Sequence, residues 1–490
     1  MIATVERIRS KALRARVMDA DAAVERFVPD RGSIAFSCMG GTSLAKEVPE
    51  ALARSADAGR RYDLTLLTGG ATTTRFETAM ARVGVRRRYP YLSDAARRAV
   101  NDGSVEFFDC RIGEFPELVR EGAFTGGRPI DVAVVEATSI DERGRLVPGL
   151  AVDALPAFVD GSRHVIVELN EAKPDLKGLH DIYRVRPGVP LPIRDVRDRI
   201  GRPYVSVPAS KVVAIVESQR EDEPSGAYSR PSPTDSRIAE RIATFLEGEL
   251  KRDAWGGRFA LQLGAGPLAA ALMEVLPFRG ADVWTEGIPL RWIAILGEQV
   301  RGISTTSMYQ LPGDGPALDE LSERLDSVLK HVVLRPYDVT NSLEVIARLN
   351  VVTIQQAIEV DLFSGANASH VGRNAHNGVG GSPDFTRAAR LVVVAMPSTA
   401  AGDRYSRIVP LLASADIPRQ DVDVLVTEQG IADLRVLSPR ERAEAIIDRC
   451  SHPRFRDDLW AYYRKAKETG GHLPFSLDGA VRFAQGQGQG

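Results

Sequence analysis

Short apolar runs separated by longer amphipathic stretches, a Pro- and Ser-rich interruption near the middle and an echo between the halves predict an α/β protein. Its expected architecture is two similar domains, each a mostly parallel sheet flanked by helices. The runs Ser33 to Cys38, Asp63 to Leu67, Val105 to Phe108, Asp131 to Glu136, Val165 to Leu169 and Lys211 to Glu217 have the length and apolarity of buried strands. From Ser218 to Ser236 the periodicity is lost and the chain fills with Pro, Ser and charge, which is linker composition. The expected division is a first domain of 1–220, a linker of 221–236, a second domain of 237–483 and a flexible Gln/Gly tail of 484–490. A helix is expected from about Arg237 to Arg252, and strands resume at Leu261 to Leu263, Asp282 to Thr285, Val351 to Ile354, Leu391 to Val394 and Val424 to Thr427.

The echo between the halves is local but ordered. Asp131 to Glu136 (DVAVVE) and Asp423 to Glu428 (DVLVTE) are both apolar strands ending on a glutamate, at the end where open parallel sheets place their ligands. Ile34 to Leu44 and Gln262 to Ala271 both read as strand, small residues with glycine, then helix.

Composition narrows the partners. The 490 residues are 44% hydrophobic and 26% charged, with a formal charge of −2, so no basic surplus attracts nucleic acid or anionic lipid. Three distant cysteines, Cys38, Cys110 and Cys450, suit neither a disulfide framework nor a thiolate metal site, and a reducing cytoplasm is the expected compartment. The seven histidines lack metal-type spacing, so no metal is expected. No apolar run approaches the ~18 residues that span a bilayer. The Arg-rich amino terminus, Met1 to Phe27, is interrupted by Glu6, Asp19, Asp21 and Glu25 and reads as a surface helix rather than a targeting segment.

Two glycine-rich segments carry the chemistry. Asn377 to Phe385 (NGVGGSPDF) places Gly380 and Gly381 where exposed amides could face one anionic oxygen, although a structural turn has the same composition. Gln262 to Ala269 (QLGAGPLA) is a strand, a glycine turn through Gly264, Ala265 and Gly266, and a helix opened by a proline. It satisfies the dinucleotide fingerprint, with Glu286 twenty residues beyond Gly266 as the acidic ribose ligand, and taken alone it predicts an NAD-dependent oxidoreductase. The rival reading makes Glu286 a nucleophile toward a thioester carbonyl. It also gives work to Gly380-Gly381-Ser382, to Asn341 and to Glu428, for which the plain alternatives are a helix cap and a solvated strand end.

Over nearly its whole length the chain resembles the acetyl-CoA hydrolase/transferase family, which includes succinyl-CoA:acetate CoA-transferases. The likeness rests on Asp131 to Gly149, Val165 to Pro174, Leu179 to Tyr183 and Arg202 to Ser218. In the second half it rests on Leu261 to Gly266, Thr285-Glu286, Leu334 to Asn341, Ala366 to Phe385, Thr427 to Arg435 and Leu437 to Arg442. The resemblance implies two CoA-transferase-type domains with acyl-CoA bound in a cleft between them and ping-pong transfer through a covalent glutamate. By position the nucleophile is Glu286, the oxyanion amides are those of Ala265 and Gly381, flanked by Gly264, Gly266 and Gly380, and Asn341 and Glu428 orient or polarise the site. Coenzyme A enters as substrate, no tightly bound cofactor is implied, and a homodimer or higher homo-oligomer is expected.

The sequence departs from the family where acyl preference is expected to be set. Gly287 to Arg291 follows the glutamate in place of a Val-x-Gln-Asp type continuation, Thr305-Thr306-Ser307-Met308 replaces an Ala-Thr-Ser-Phe-like segment, and Ala401 stands where some relatives have lysine. Arg373 to His376 likewise replaces a Gly-Thr-x-Met pattern, and His376 reads as a loop histidine, since carboxylate exchange needs no general base. A hydrolase on the same site and a silent CoA-binding module are the remaining alternatives.

Overall fold

A computed structural model describes residues 6–94, 96–224, 230–252, 258–264, 266–276, 279–311 and 317–486. The chain forms two compact units: Met1–Tyr228 with Arg279–Leu349, and Ser229–Phe278 with Asn350–Gly490. The segment that carries Glu286 and Asn341 therefore belongs to the same compact unit as the amino-terminal residues.

The strands used below are, in chain order, β1 (Arg31–Phe36), β2 (Asp63–Thr68), β3 (Val85–Tyr89), β4 (Glu106–Phe107), β5 (Ile130–Ile140), β6 (Leu146–Pro148), β7 (Ser162–Asn170), β8 (Val212–Ser218) and β9 (Ala260–Leu263). They continue with β10 (Ala281–Trp284), β11 (Gly287–Pro289), β12 (Val300–Thr305), β13 (Ser307–Tyr309), β14 (Val332–Leu334), β15 (Val352–Gln356), β16 (Leu391–Ala395), β17 (Val424–Val426) and β18 (Ile431–Asp433).

In the first unit the main sheet runs β4-β3-β2-β1-β5-β7-β8, all parallel, with β6 antiparallel on β5. Parallel sheets must be covered on both faces, and the apolar side chains divide accordingly. Ile34, Phe36, Val132 and Val134 pack with Val48, Leu52 and Phe76 in one cluster, while Ala35, Leu67 and Ala133 pack with Phe115 and Phe158 in another. The same unit carries the parallel strands β14-β12-β10. In the second unit β9-β15-β16-β17 are parallel and β18 returns antiparallel on β17.

Every strand expected from the sequence forms. Several boundaries differ for identifiable reasons. The amino terminus is not one surface helix: it breaks into Lys11–Arg14 and Ala20–Phe27, and Ile8, Leu13, Ala23 and Val24 are buried. Backbone bonds from Arg9 N to Ile140 O (2.8 Å) and from Met18 N to Ile215 O (3.0 Å) hold this segment against the main sheet. The helix expected at Arg237 opens at Pro233, because Ser232 and Asp235 form a reciprocal capping box and proline suits the first turn. Ala484 to Gly486 close the helix Leu477–Gly486, and the rest of the expected tail lies outside the described residues.

The expected linker begins with a structural element. Asp222 is buried, and its two oxygens accept from Lys46 Nζ and Lys173 Nζ, each at 2.7 Å. Both ammonium groups also meet Glu136, which accepts a third bond from Asn170 Nδ2 at 2.8 Å. Glu136 lies inside β5 rather than at its end, fully buried in this two-cation, two-anion cluster, so its likeness to Glu428 is one of pattern only. Burial raises the Asp222 carboxyl, but the two ammonium groups outweigh burial and bring it down to about 2.

Removing one partner of a buried ion cluster leaves an uncompensated charge, so Asp222→Asn should lower the unfolding free energy by roughly 3–5 kcal/mol in urea titrations at neutral pH. A carboxyl depressed in the folded state adds stability above its unfolded value, which is about 3.9. The wild-type advantage over Asp222→Asn should therefore persist down to that pH and disappear as the pH falls through about 2. A difference independent of pH across that window would contradict this.

Candidate functional site

Glu286 stands two residues beyond the end of β10 and is half-buried, with its backbone carbonyl accepting from the amides of Thr306 (3.1 Å) and Ser307 (3.0 Å). The parallel pair β11 and β13, Gly287 opposite Ser307, fixes the chain on its other side. Asn341 terminates the short helix Tyr337–Thr340, and its Nδ2 donates to Glu286 Oε1 at 2.8 Å. Asn341 is therefore not an N-cap: Ser342 occupies that position for the helix Leu343–Arg348.

The orientation of the Asn341 amide is set by its neighbours. Thr340 Oγ1 donates to Asn341 Oδ1 at 3.0 Å and meets Thr306 Oγ1 at 3.0 Å, so the amide oxygen is occupied and its nitrogen is turned to the carboxylate. Trp284, fully buried, donates from Nε1 to Thr340 O at 2.7 Å. Arg335, also buried, bonds Ser304 Oγ at 2.6 Å and pairs with Asp181, which anchors the strand-to-helix turn ahead of Tyr337. Sequence reasoning picked out Glu286 and Asn341 as site residues, whereas Thr306, Thr340 and Trp284 entered only as members of longer segments, because their roles depend on contacts across 34 and 56 residues.

Tyr337 lies in the same turn, fully buried, and its hydroxyl makes no hydrogen bond among the described residues. A Cβ on Gly70 would sit 3.3 Å from that oxygen. Burial, with nearby Tyr91, Asp153 and Glu286 adding to it, pushes the phenol well above its ordinary value, so it stays protonated. Asp153 is likewise raised by burial, against hydrogen bonds from Ser37 and backbone amides.

The glycine segments and Glu428 belong to the second unit. Gly264 follows β9 and donates to Ile354 O at 3.1 Å. Gly266, at φ +123°, precedes the helix Pro267–Val275, and a side chain there would be strained and would press on Gln356. Ala265 lies outside the described residues. Gly380 takes φ +67° and Gly381 caps the helix Ser382–Thr386, whose first hydroxyl donates to Gln355 Oε1 at 2.8 Å. Gln355 Nε2 in turn donates to Gln262 Oε1 (2.7 Å) and Thr353 Oγ1 (2.8 Å). The buried ladder Gln262-Gln355-Ser382 thus ties the Gly380-Gly381 turn to the carboxyl ends of β9 and β15, beside Gly264.

Glu428 stands just beyond β17 and is not a solvated strand end. Its oxygens accept from Ser398 N at 2.8 Å, from the Ser398 hydroxyl and from Gln429 Nε2 at 2.9 Å. Burial raises its carboxyl, and those bonds more than offset it, so it is held below the usual range and ionised at neutral pH. His376 is half-buried. Among the described residues, no three His, Cys, Asp or Glu side chains are grouped to hold a metal ion, and no helix is long and apolar enough to cross a membrane.

Comparison with known proteins places these features in context. The family model for the acetyl-CoA hydrolase/transferase N-terminal domain matches residues 5–217, and that for the C-terminal domain matches 318–463. The chain is 33% identical to the succinyl-CoA:acetate CoA-transferase of Clostridium kluyveri, with 98% of this chain and 90% of that protein covered. It is 31% identical to the acetyl-CoA hydrolase of Schizosaccharomyces pombe, covering 97% and 96%. Among solved structures, RipA from Yersinia pestis superposes with a TM-score of 0.72 at 22% identity, covering 93% and 98%, a likeness of fold. These relatives lend nothing to the oxidoreductase reading.

The glutamine ladder yields a test that needs no substrate. Gln355→Leu removes the acceptor of the Ser382 hydroxyl and one of the two bonds to Gln262 Oε1, the other coming from Thr353 Oγ1, at a cost of about 1–3 kcal/mol. Hydrogen exchange at the Gly380 and Gly381 amides should accelerate relative to wild type, while exchange in β1 and β5 stays unchanged. Equal protection in the variant would show that the turn is held by other contacts.

Proposed function

Because the chain belongs to the acetyl-CoA hydrolase/transferase family, we propose that it is a CoA-transferase moving CoA from a short-chain acyl-CoA to a carboxylate of the acetate or succinate kind, with Glu286 as covalent nucleophile. The observation that carries this reading is the Asn341 Nδ2 to Glu286 Oε1 bond, a neutral donor that orients the carboxylate without neutralising it.

The proposed reaction runs as two half-reactions. A Glu286 oxygen attacks the thioester carbonyl, negative charge collects on the carbonyl oxygen, and the C–S bond breaks to give a mixed anhydride and CoA thiolate. The thiolate attacks the Glu286 carbonyl, the first carboxylate leaves, and Glu286 holds CoA as a thioester. A second carboxylate attacks that thioester and expels the thiolate, which then takes the new acyl group from the anhydride and frees Glu286. Thioester energy is conserved, so no ATP is consumed.

The family likeness gives oxyanion roles to the Ala265 and Gly381 amides, and the fixed Gly380-Gly381 turn supports the second of these. One such donor typically contributes ~3 kcal/mol to transition-state stabilisation. Glu428, held ionised by Ser398, is assigned to orient the reacting groups. Division into homologous halves at 221–236, assembly as a homodimer or larger homo-oligomer and a cytoplasmic location complete the proposal.

The hydrolase reading has specific support, since relatives of equal likeness carry that name. It uses the same nucleophile, with water in place of the second carboxylate, so exclusion of water separates the two activities.

Incubation with acyl-CoA and no acceptor should leave CoA on the peptide containing Glu286, trapped by borohydride and read by mass; an unmodified enzyme that still exchanges CoA would refute the covalent route. Glu286→Ala should abolish exchange while keeping the wild-type melting temperature. Asn341→Ala loses a hydrogen bond to a charged group and should reduce kcat/KM by roughly ten- to a hundred-fold. Free thiol released without an acceptor, measured against exchange with one, decides between transferase and hydrolase.

A further inference from the structure

A second concave site lies in the first unit, at the amino ends of its main sheet. Arg31 opens β1, Asp63 opens β2, Arg86 and Arg87 stand early in β3, Asp131 in β5 and Arg163 in β7. These residues line a cavity of about 570 Å³, and the loop from Phe124 to Pro129 forms its rim. That volume falls within the range of small-molecule sites.

Register makes the lining a row rather than a scatter. Ser33 lies opposite Thr65, and Thr65 opposite Arg87. On the other side, the pairing of Ile34 with Val132 and of Ile130 with Ser162 brings Asp131 beside Ser33 and Arg163 beside Asp131. Five adjacent parallel strands thus present Arg87, Thr65, Ser33, Asp131 and Arg163 on one face.

The charges do not cancel. Five guanidinium groups, those of Arg31, Arg86, Arg87, Arg128 and Arg163, face two carboxylates. Asp63 is engaged by Arg86 at 2.9 Å, and Asp131 accepts from the Ser33 amide (2.9 Å) and hydroxyl (3.1 Å). The side chains of Arg31, Arg87 and Arg163 have neither an ion pair nor a hydrogen bond among the described residues, and the largely buried Thr65 hydroxyl also has no partner there. In a chain of net charge −2, this local excess is not explained by overall composition.

We propose that this row binds a small linear polyphosphate anion, such as the triphosphate group of a nucleotide. Guanidinium forks match phosphate oxygens two at a time. Strands lie about 4.8 Å apart and rise about 3.3 Å per residue, so Arg31, two strands from both Arg87 and Arg163 and two residues along from Ser33, is spaced about 12 Å from each at the backbone. Cations so distributed suit an extended anion better than a compact one.

The site is separate from the chemistry proposed for Glu286. The opposite ends of β1 and β2 lead to Cys38 and Gly70, beside the Tyr337 hydroxyl. A strand of six residues spans about 20 Å.

Titration calorimetry of the full-length protein with inorganic tripolyphosphate tests the proposal. It expects saturable binding of one equivalent per chain, weakened by salt, and weakened by about ten-fold or more in Arg87→Gln and in Arg163→Gln. Both variants should keep wild-type melting temperature and basal acyl exchange, because neither residue touches the Glu286 network. Absence of saturable binding, or binding that both variants leave intact, overturns the proposal. Citrate binding as tightly as tripolyphosphate overturns the extended-anion assignment, and displacement of tripolyphosphate by coenzyme A would make the groove part of the substrate site and overturn its independence. Failure of the Glu286 trapping experiment leaves these outcomes readable, since calorimetry requires no turnover.

Discussion

A single carboxamide, held from behind, organises the corner of the first unit around Glu286. Asn341 can present its nitrogen to Glu286 only while its oxygen is occupied, and Thr340 occupies it while leaning on Thr306. A free asparagine could flip and point an oxygen at the carboxylate, which would repel it. Trp284 and Arg335 fix the helix that carries Thr340 and Asn341, so several buried residues serve the orientation of one hydrogen bond.

The second unit solves a similar problem with different material. Backbone amides can serve an anion only if the turn that bears them does not relax, and glycine is the residue least able to hold a turn by itself. Gln262, Gln355 and Ser382 supply the missing rigidity from buried side chains on neighbouring elements. Glu428 is treated in the same manner, with Ser398 donating twice to it.

Much of this was legible in the sequence, and the exceptions share a cause. Buried parallel strands announce themselves as apolar runs, so every expected strand formed, and the family motifs marked Glu286, Asn341 and Glu428 as residues worth locating. Short or charged strands escaped notice: β3 reads Val-Arg-Arg-Arg-Tyr and β14 only Val-Val-Leu. The apparent surface helix at the amino terminus failed because Ile8 and Leu13 contact strands more than a hundred residues away, which local periodicity does not encode. Gln355 was invisible for the same reason, and Thr306 stood out only as part of a divergent segment, since a threonine or glutamine acquires meaning only from the atom it faces.

Asp222 gives the polypeptide an order of events. The match to the amino-terminal family model stops at 217, yet a fragment ending there would leave the Lys46 and Lys173 ammonium groups without their shared Asp222 partner. Those two ion pairs form only when five further residues have been made, and the unit is finished later still, by the segment from 279 to 349. A nascent chain halted between those points would be a natural client for chaperones, and excision at the homology boundary a poor route to a soluble fragment.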